Sequence, residues 1–183
     1  MQQIPTRLEG LVVLEPVVHG DDRGFFVETF RESALAELGI ADRFVQENHS
    51  RSAYGVVRGM HFQSDPPVAK LVRCGRGAVV DVVVDIRPES PTFAEWEAVE
   101  LDDASMRMLY VPPGFAHGFC VVSEVADVLY KQTGYWHEAA DRGFALDDPA
   151  VGIQWPIPPE ERVLSARDRS APALAELTAA TSG

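Results

Sequence analysis

The chain has 183 residues, 46% of them apolar and 24% charged, with a formal net charge of −12. That length suffices for one domain with a substantial core. The acidity argues against general nucleic-acid binding and against an anionic membrane surface, and an anionic small ligand would need local Arg and Lys to overcome the background field.

The stretch from Met1 to Gly20 carries Glu9 and Glu15 and shows no basic-then-apolar signal pattern. No apolar run approaches the ~20 residues that span a bilayer, so a cytoplasmic location is expected. Cys74 and Cys120 each lie in an apolar, strand-like run and read as two buried thiols, not as a disulfide framework.

In chain order, residues 8–18 are rich in Val and Leu, with Gly10 and Pro16 as punctuation, and read as an opening strand or two. His19 to Gly24 is a predicted turn, and Phe25 to Phe30 a second strand. A short helix follows, with Ser33 as N-cap, Ala34 to Leu38 as body and Gly39 as stop. Residues 43–49 read as a strand, Ser50 to Tyr54 as a loop, and Gly55 to Gln63 as a strand. Asp65-Pro66-Pro67 forces a turn.

Residues 68–74 and 78–86 read as two strands joined through Gly75-Arg76-Gly77 as a hairpin. In the second, Ala78, Val80, Val82, Val84 and Ile86 form a wholly apolar face, while Val79, Asp81, Val83 and Asp85 form a mixed one. Residues 92–101 read as an edge strand, and 106–111, 115–122 and 125–132 as three more. After Tyr135 the chain turns polar and irregular, and Ala171 to Gly183 holds one short helix and a frayed end. About ten short strands separated by Gly and Pro turns predict an all-β sandwich or barrel in a single domain.

Two stretches carry chemistry. Gly55-Val56-Val57-Arg58-Gly59-Met60-His61-Phe62-Gln63 places a cation and an imidazole in an apolar strand. In a regular strand Arg58 and His61 point to opposite faces. Either Gly59 is a bulge that reverses the phase, or Arg58 projects away from the pocket; parity alone does not choose. The second stretch, Pro112-Pro113-Gly114-Phe115-Ala116-His117, is a rigid corner followed by a histidine.

The Pro-x-Gly-x-x-His pattern resembles the second motif of the cupin jelly rolls, whose metal-binding members use that histidine as a ligand. The matching first motif here reads His61-Phe62-Gln63, with an amide where a second imidazole would stand. An amide is a weak metal ligand, so no metal and no cofactor is expected.

A closer resemblance is to the dTDP-4-dehydrorhamnose 3,5-epimerase family, from about residue 8 to residue 169. It is carried by Asp22-Arg23-Gly24-Phe25-Phe26-Val27-Glu28, Gln46-Glu47-Asn48-His49-Ser50, the strand 55–63, Lys70-Leu71-Val72-Arg73, the strand around Asp81, Pro113 to Phe119, Tyr130-Lys131 and Leu164 to Asp168. The resemblance implies a cupin jelly roll acting on a dTDP-linked 4-keto-6-deoxy sugar, whose C3 and C5 hydrogens flank the C4 ketone.

It further implies His61 as base, Asp168 as its hydrogen-bonding carboxylate and Tyr130 as proton donor on the opposite face. An imidazole, with an ordinary pKa of about 6.5, suits the base role. Lys70 and His117 match groups close to the sugar, where a cation stabilises an enolate. Arg23 and Arg58 match the diphosphate end. Phe26, Glu28, Gln46 and Asn48 match positions around thymidine and ribose.

Asp141 stands where the family often has glutamate, and Arg167 where it often has lysine. Tyr135 and Trp136 stand where the family often has two adjacent aromatics near the base-binding end, the tryptophan being the larger. The resemblance also implies a homodimer in which the segment around Arg23 to Glu28 completes the neighbouring site. Competing readings are a single-carbon epimerase, a keto-isomerase, a metal-dependent cupin, or a sugar-nucleotide binding module without catalysis. Simple binding has no need of the set His61, Asp168, Lys70 and Tyr130.

Overall fold

A computed structural model of the protein describes residues 1–180. The frayed end expected at the C-terminus lies outside the described residues. The strands are β1 (Gln2–Ile4), β2 (Val12–Glu15), β3 (Val18–Asp21), β4 (Gly24–Val27), β5 (Gln46–Ala53), β6 (Val57–Gln63), β7 (Lys70–Arg76), β8 (Ala78–Asp85), β9 (Trp96–Asp102), β10 (Met108–Val111), β11 (Phe115–Val121), β12 (Val125–Gln132) and β13 (Asp141–Gly143). Three short helices are α1 (Glu32–Glu37), α2 (Ala166–Arg169) and α3 (Leu174–Ala180).

Two antiparallel sheets form the walls of a cupin-like jelly roll. One runs β1-β2-β10-β7-β12-β5 and the other β13-β6-β11-β8-β9, while β3 and β4 make a separate two-stranded ribbon. Strand alternation sets the layers. Val72, Leu109, Val128, Val79, Val83 and Phe119 meet between the sheets. The outer face of the five-stranded sheet packs Val57, Met60, Val82 and Cys120 against Phe144, Trp155 and Ile157 of the C-terminal segment and Leu174 of α3. The outer face of the six-stranded sheet packs Leu14, Leu71 and Met108 against Leu35 of α1.

Several local expectations are corrected. The predicted hairpin through Gly75-Arg76-Gly77 does not form, because β7 pairs with β10 and β12 while β8 pairs with β11 and β9. The chain crosses between sheets there, with Gly77 at φ +75° and its Cα so close to the Val125 carbonyl that a Cβ would lie 2.1 Å from that oxygen. Ser33 lies inside α1, whose N-cap is Arg31 with no side-chain cap; Gly39 follows the helix at φ +86°. The predicted loop 50–54 is largely strand, since β5 runs unbroken to Ala53 along β12. The predicted turn at 19–24 is tighter, with β3 continuing through Asp21. β13, in the stretch read as irregular, pairs with β6.

β8 buries residues on both of its faces. Its apolar face, Val80, Val82 and Val84, packs outward under the C-terminal segment, and its mixed face, with Asp81 and Asp85, looks into the barrel. Both cysteines are free and buried, and burial pushes each thiol up to about 11. Among the described residues no helix is long and apolar enough to cross a membrane.

Candidate active site

β6 settles its own parity. His61 is opposite His117 on β11, but Arg58 is opposite Phe119, so Gly59 and Met60 together face the single residue Gly118. This is a β-bulge. Gly59 sits at φ +128°, and a Cβ there would lie 2.5 Å from Gly118 Cα. Only a glycine meets both demands. The bulge turns Met60 outward and lets Arg58 and His61 line one cavity.

That cavity, about 550 Å³, lies between the sheets and is lined by Arg58, His61, Lys70, His117, Tyr130, Asp141, Arg167 and Asp168. Its size suits a small organic ligand. Eight of the residues expected in the site are thus brought together.

On the five-stranded wall, His61 Nε2 is 2.7 Å from Asp168 Oδ1. Asp168 lies in the first turn of α2, where its backbone N–H donates to the Oγ of the N-cap Ser165 at 3.0 Å. Burial raises the Asp168 carboxyl, but the hydrogen bond and charge of His61 outweigh it and hold the group below its ordinary value. An ionised carboxylate only accepts, so Nε2 carries the proton and Nδ1 keeps the lone pair.

On the six-stranded wall, β12 and β7 present Tyr130 and Lys70. Burial raises the Tyr130 phenol, against a hydrogen bond with Asn48. The phenol therefore keeps its proton at neutral pH. Lys70 Nζ stands 5.7 Å from the Tyr130 ring centroid and 3.0 Å from His117 Nε2 across the barrel. Burial lowers the ammonium to about 8, despite the opposing charges of Asp141 and Asp81.

Both ring nitrogens of His117 are engaged, Nε2 by Lys70 and Nδ1 by Asp81 at 3.3 Å to each carboxylate oxygen. An ammonium therefore occupies the place beside His117 that a metal would need. Gln63, at the former ligand position of the cupin motif, serves backbone instead. Its amide donates to the carbonyls of Pro66 and Tyr135 and accepts from the His137 N–H.

Arg58 Nε donates to Ser52 Oγ at 3.1 Å. Arg167 Nη1 and Trp136 Nε1 both donate to Asp141 Oδ2, at 2.6 and 3.1 Å. The shorter acid and the longer base still meet. Gln46 donates to Asn48 and accepts from the Trp136 backbone N–H. Tyr135 is exposed.

Arg23, Phe26 and Glu28 do not reach the cavity of their own chain. They lie on and beside the β3–β4 ribbon, where Arg23 pairs with Asp21, Glu28 pairs with Arg31 and Phe26 is 70% exposed.

Two contributors lie within the matched stretches yet receive no role from the resemblance. Asp81 is fully buried beneath His117; its signal is a lone carboxylate between valines, in Val79-Val80-Asp81-Val82-Val83. Ser165, which caps the turn holding Asp168, is legible as a Ser three residues before an acid.

A jelly-roll barrel with a histidine–carboxylate pair on one wall, a phenol on the other and an ammonium between them is the site of an acid–base enzyme. A model of the dTDP-4-dehydrorhamnose 3,5-epimerase family matches residues 5–176, and the chain belongs to that family. It is 47% identical over 175 residues to dTDP-4-dehydrorhamnose 3,5-epimerase of Salmonella typhimurium, covering 93% of this chain and 94% of that one. It is 42% identical over 178 residues to dTDP-4-dehydrorhamnose 3-epimerase of Streptomyces niveus, covering 96% and 85%. The crystal structure of dTDP-6-deoxy-D-glucose-3,5-epimerase from Legionella pneumophila Philadelphia 1, in complex with dTDP-4-keto-L-rhamnose, matches with a TM-score of 0.94 and 44% identity over 98% of this chain and 95% of that one.

Proposed function

We propose that the protein epimerises a dTDP-4-keto-6-deoxyhexose at C3 and C5, in deoxysugar biosynthesis of the dTDP-rhamnose type. The observation that carries this reading is the placement of the His61–Asp168 pair and Tyr130 on facing walls of one cavity. Inversion needs a base on one face of the sugar and an acid on the other.

His61 Nδ1 takes the proton from a carbon next to the C4 ketone, and the bonding pair moves through the new C=C bond onto O4. Asp168 holds the tautomer and offsets the imidazolium charge. Lys70, with His117, faces O4 and stabilises the enolate. The Tyr130 hydroxyl then gives its proton to the same carbon from the opposite face. Solvent restores both groups. The sequence is redox-neutral and calls on no cofactor.

Arg58 takes the diphosphate, while Gln46, Asn48, Tyr135, Asp141 and Arg167 contact the nucleotide and sugar. Arg23, Phe26 and Glu28 act on the neighbouring site of a homodimer. Two features support the dimer. The β3–β4 ribbon belongs to neither sheet and exposes Phe25 and Phe26, and the eight-residue β5 is the outermost strand of its sheet. An apolar ribbon and a long open edge are complementary. We read the chain as a single working domain and place it in the cytoplasm with the nucleotide-sugar pool.

Incubation with dTDP-4-keto-6-deoxyglucose in D₂O, followed by NMR, tests the reading. Deuterium at both C3 and C5 with inverted product is expected, and absence of exchange at both would overturn it. A second reading, inversion at one carbon, is favoured by the Streptomyces niveus relative named as a 3-epimerase. Deuterium confined to C3 would select it.

A further inference from the structure

Asp81 has no part in the proton transfers described above, yet it is fully buried inside the barrel. Its carboxylate oxygens both lie 3.3 Å from His117 Nδ1, and His117 Nε2 lies 3.0 Å from Lys70 Nζ. The three groups form a row from the β8 wall through β11 to β7.

Hydrogen-bond inventory allows one arrangement. A neutral imidazole has one N–H and one lone pair. With the proton on Nε2, an N–H would face an ammonium and a lone pair would face a carboxylate, and both contacts would repel. With the proton on Nδ1, both contacts are hydrogen bonds. Full protonation would set an imidazolium against Lys70 in a buried place. Burial first, and then the charges of Lys70 and His61, lower the His117 imidazole, against the opposing pull of Asp81. Around Lys70 itself, burial and Arg167 lower the ammonium, while Asp141 and Asp81 raise it.

We propose that Asp81 is a positioning residue: it fixes His117 as the neutral Nδ1–H tautomer, so that Nε2 accepts from Lys70 and the other two ammonium N–H bonds point into the cavity. This deepens the proposed function and rests on its assignment of Lys70 to the sugar ketone. Without Asp81 the imidazole is free to present Nε2–H, and the ammonium loses the contact that aims it. Residues that orient a catalytic group through an intermediate imidazole are typically worth about 10–100-fold in activity at metal sites, and the same logic applies here.

The test is ring ¹⁵N NMR of the substrate-free protein, with the His117 signals identified by their loss in His117→Gln. A neutral Nδ1–H pattern from pH 6 to 9 is expected; an Nε2–H or cationic pattern would overturn the proposal. In Asp81→Asn the tautomers should mix, with kcat down about 10–100-fold and KM little changed. An unmixed Nδ1–H pattern with wild-type kcat would also overturn it. If Asp81→Asn does not fold, the wild-type spectrum at pH 9 decides, because most of the Lys70 ammonium has lost its proton there and only Asp81 still favours Nδ1–H. The spectrum needs no substrate, so a protein inactive on the dTDP-sugar but with the Nδ1–H pattern would sink the function and leave the tautomer assignment standing.

Discussion

His61 Nε2 and Asp168 Oδ1 lie 2.7 Å apart, joining strand β6 to the first turn of α2 across 107 residues of chain. The contact sets which ring nitrogen is basic. His61→Ala should abolish deuterium uptake at both carbons. Asp168→Asn should lower kcat by about 10²–10⁴-fold while substrate binding changes little. Single-turnover NMR in D₂O with each variant checks this, and full exchange in His61→Ala would remove the base assignment.

Tyr130→Phe keeps the ring and loses only the acidic proton. Proton removal by His61 should persist while delivery from the other face fails. Net inversion should therefore fall by about 10²–10⁴-fold, and hydrogen exchange with retention should fall less. Equal loss of both would mean that the phenol has another role. Comparing exchange and inversion in one NMR time course separates the two.

Lys70 has its ammonium lowered from 10.5 to about 8 by burial. If the charged form holds the enolate, kcat should decline as pH rises through about 8. Lys70→Met should lose roughly 10²–10³-fold at neutral pH, the scale of one oxyanion contact. The sign for stability is opposite. Between about 8 and 10.5 the unfolded chain binds the proton more tightly than the folded one, so this group's contribution to stability rises with pH across that window. The Tm difference between wild type and Lys70→Met, followed from pH 7 to 10, measures it.

Gly59→Ala tests the bulge. The new Cβ would sit 2.5 Å from Gly118 Cα at φ +128°. Strain and overpacking together should cost about 2–4 kcal/mol, read as a lower denaturation midpoint. Any folded fraction should bind substrate more weakly, since Arg58 and His61 lose their common orientation.

The dimer reading predicts complementation. Arg23→Ala and His61→Ala proteins should each be nearly inactive. A hybrid of the two would hold one site with His61 from one subunit and Arg23 from the other. Refolding them together should restore activity well above the sum of the two alone. No recovery, with hybrids shown by mass spectrometry, would place Arg23 outside the shared site.

Most of the strand pattern was legible, because Val-rich alternation broken by Gly and Pro has few other meanings. β5 is not legible beyond Asn48 and His49, because Ser50 to Ala53 look like loop and only their partners on β12 make them strand. The corner at Gly75 to Gly77 is ambiguous in sequence, because a glycine-rich link between two strands looks the same whether the strands pair or part.

Local sequence by itself determined the residue types for acid–base work, the strand-rich barrel and the family likeness, because those depend on identity and spacing. Only the tertiary structure decided which groups act together. Arg58 and His61 share a cavity because β6 is set against β11 with one residue too many. Asp168 reaches His61 because α2 folds back onto the barrel. Asp81 lies under His117 because the mixed face of β8 turns inward. Such contacts arise between segments distant in the chain, where register and packing of the sheets, not local preference, set the geometry.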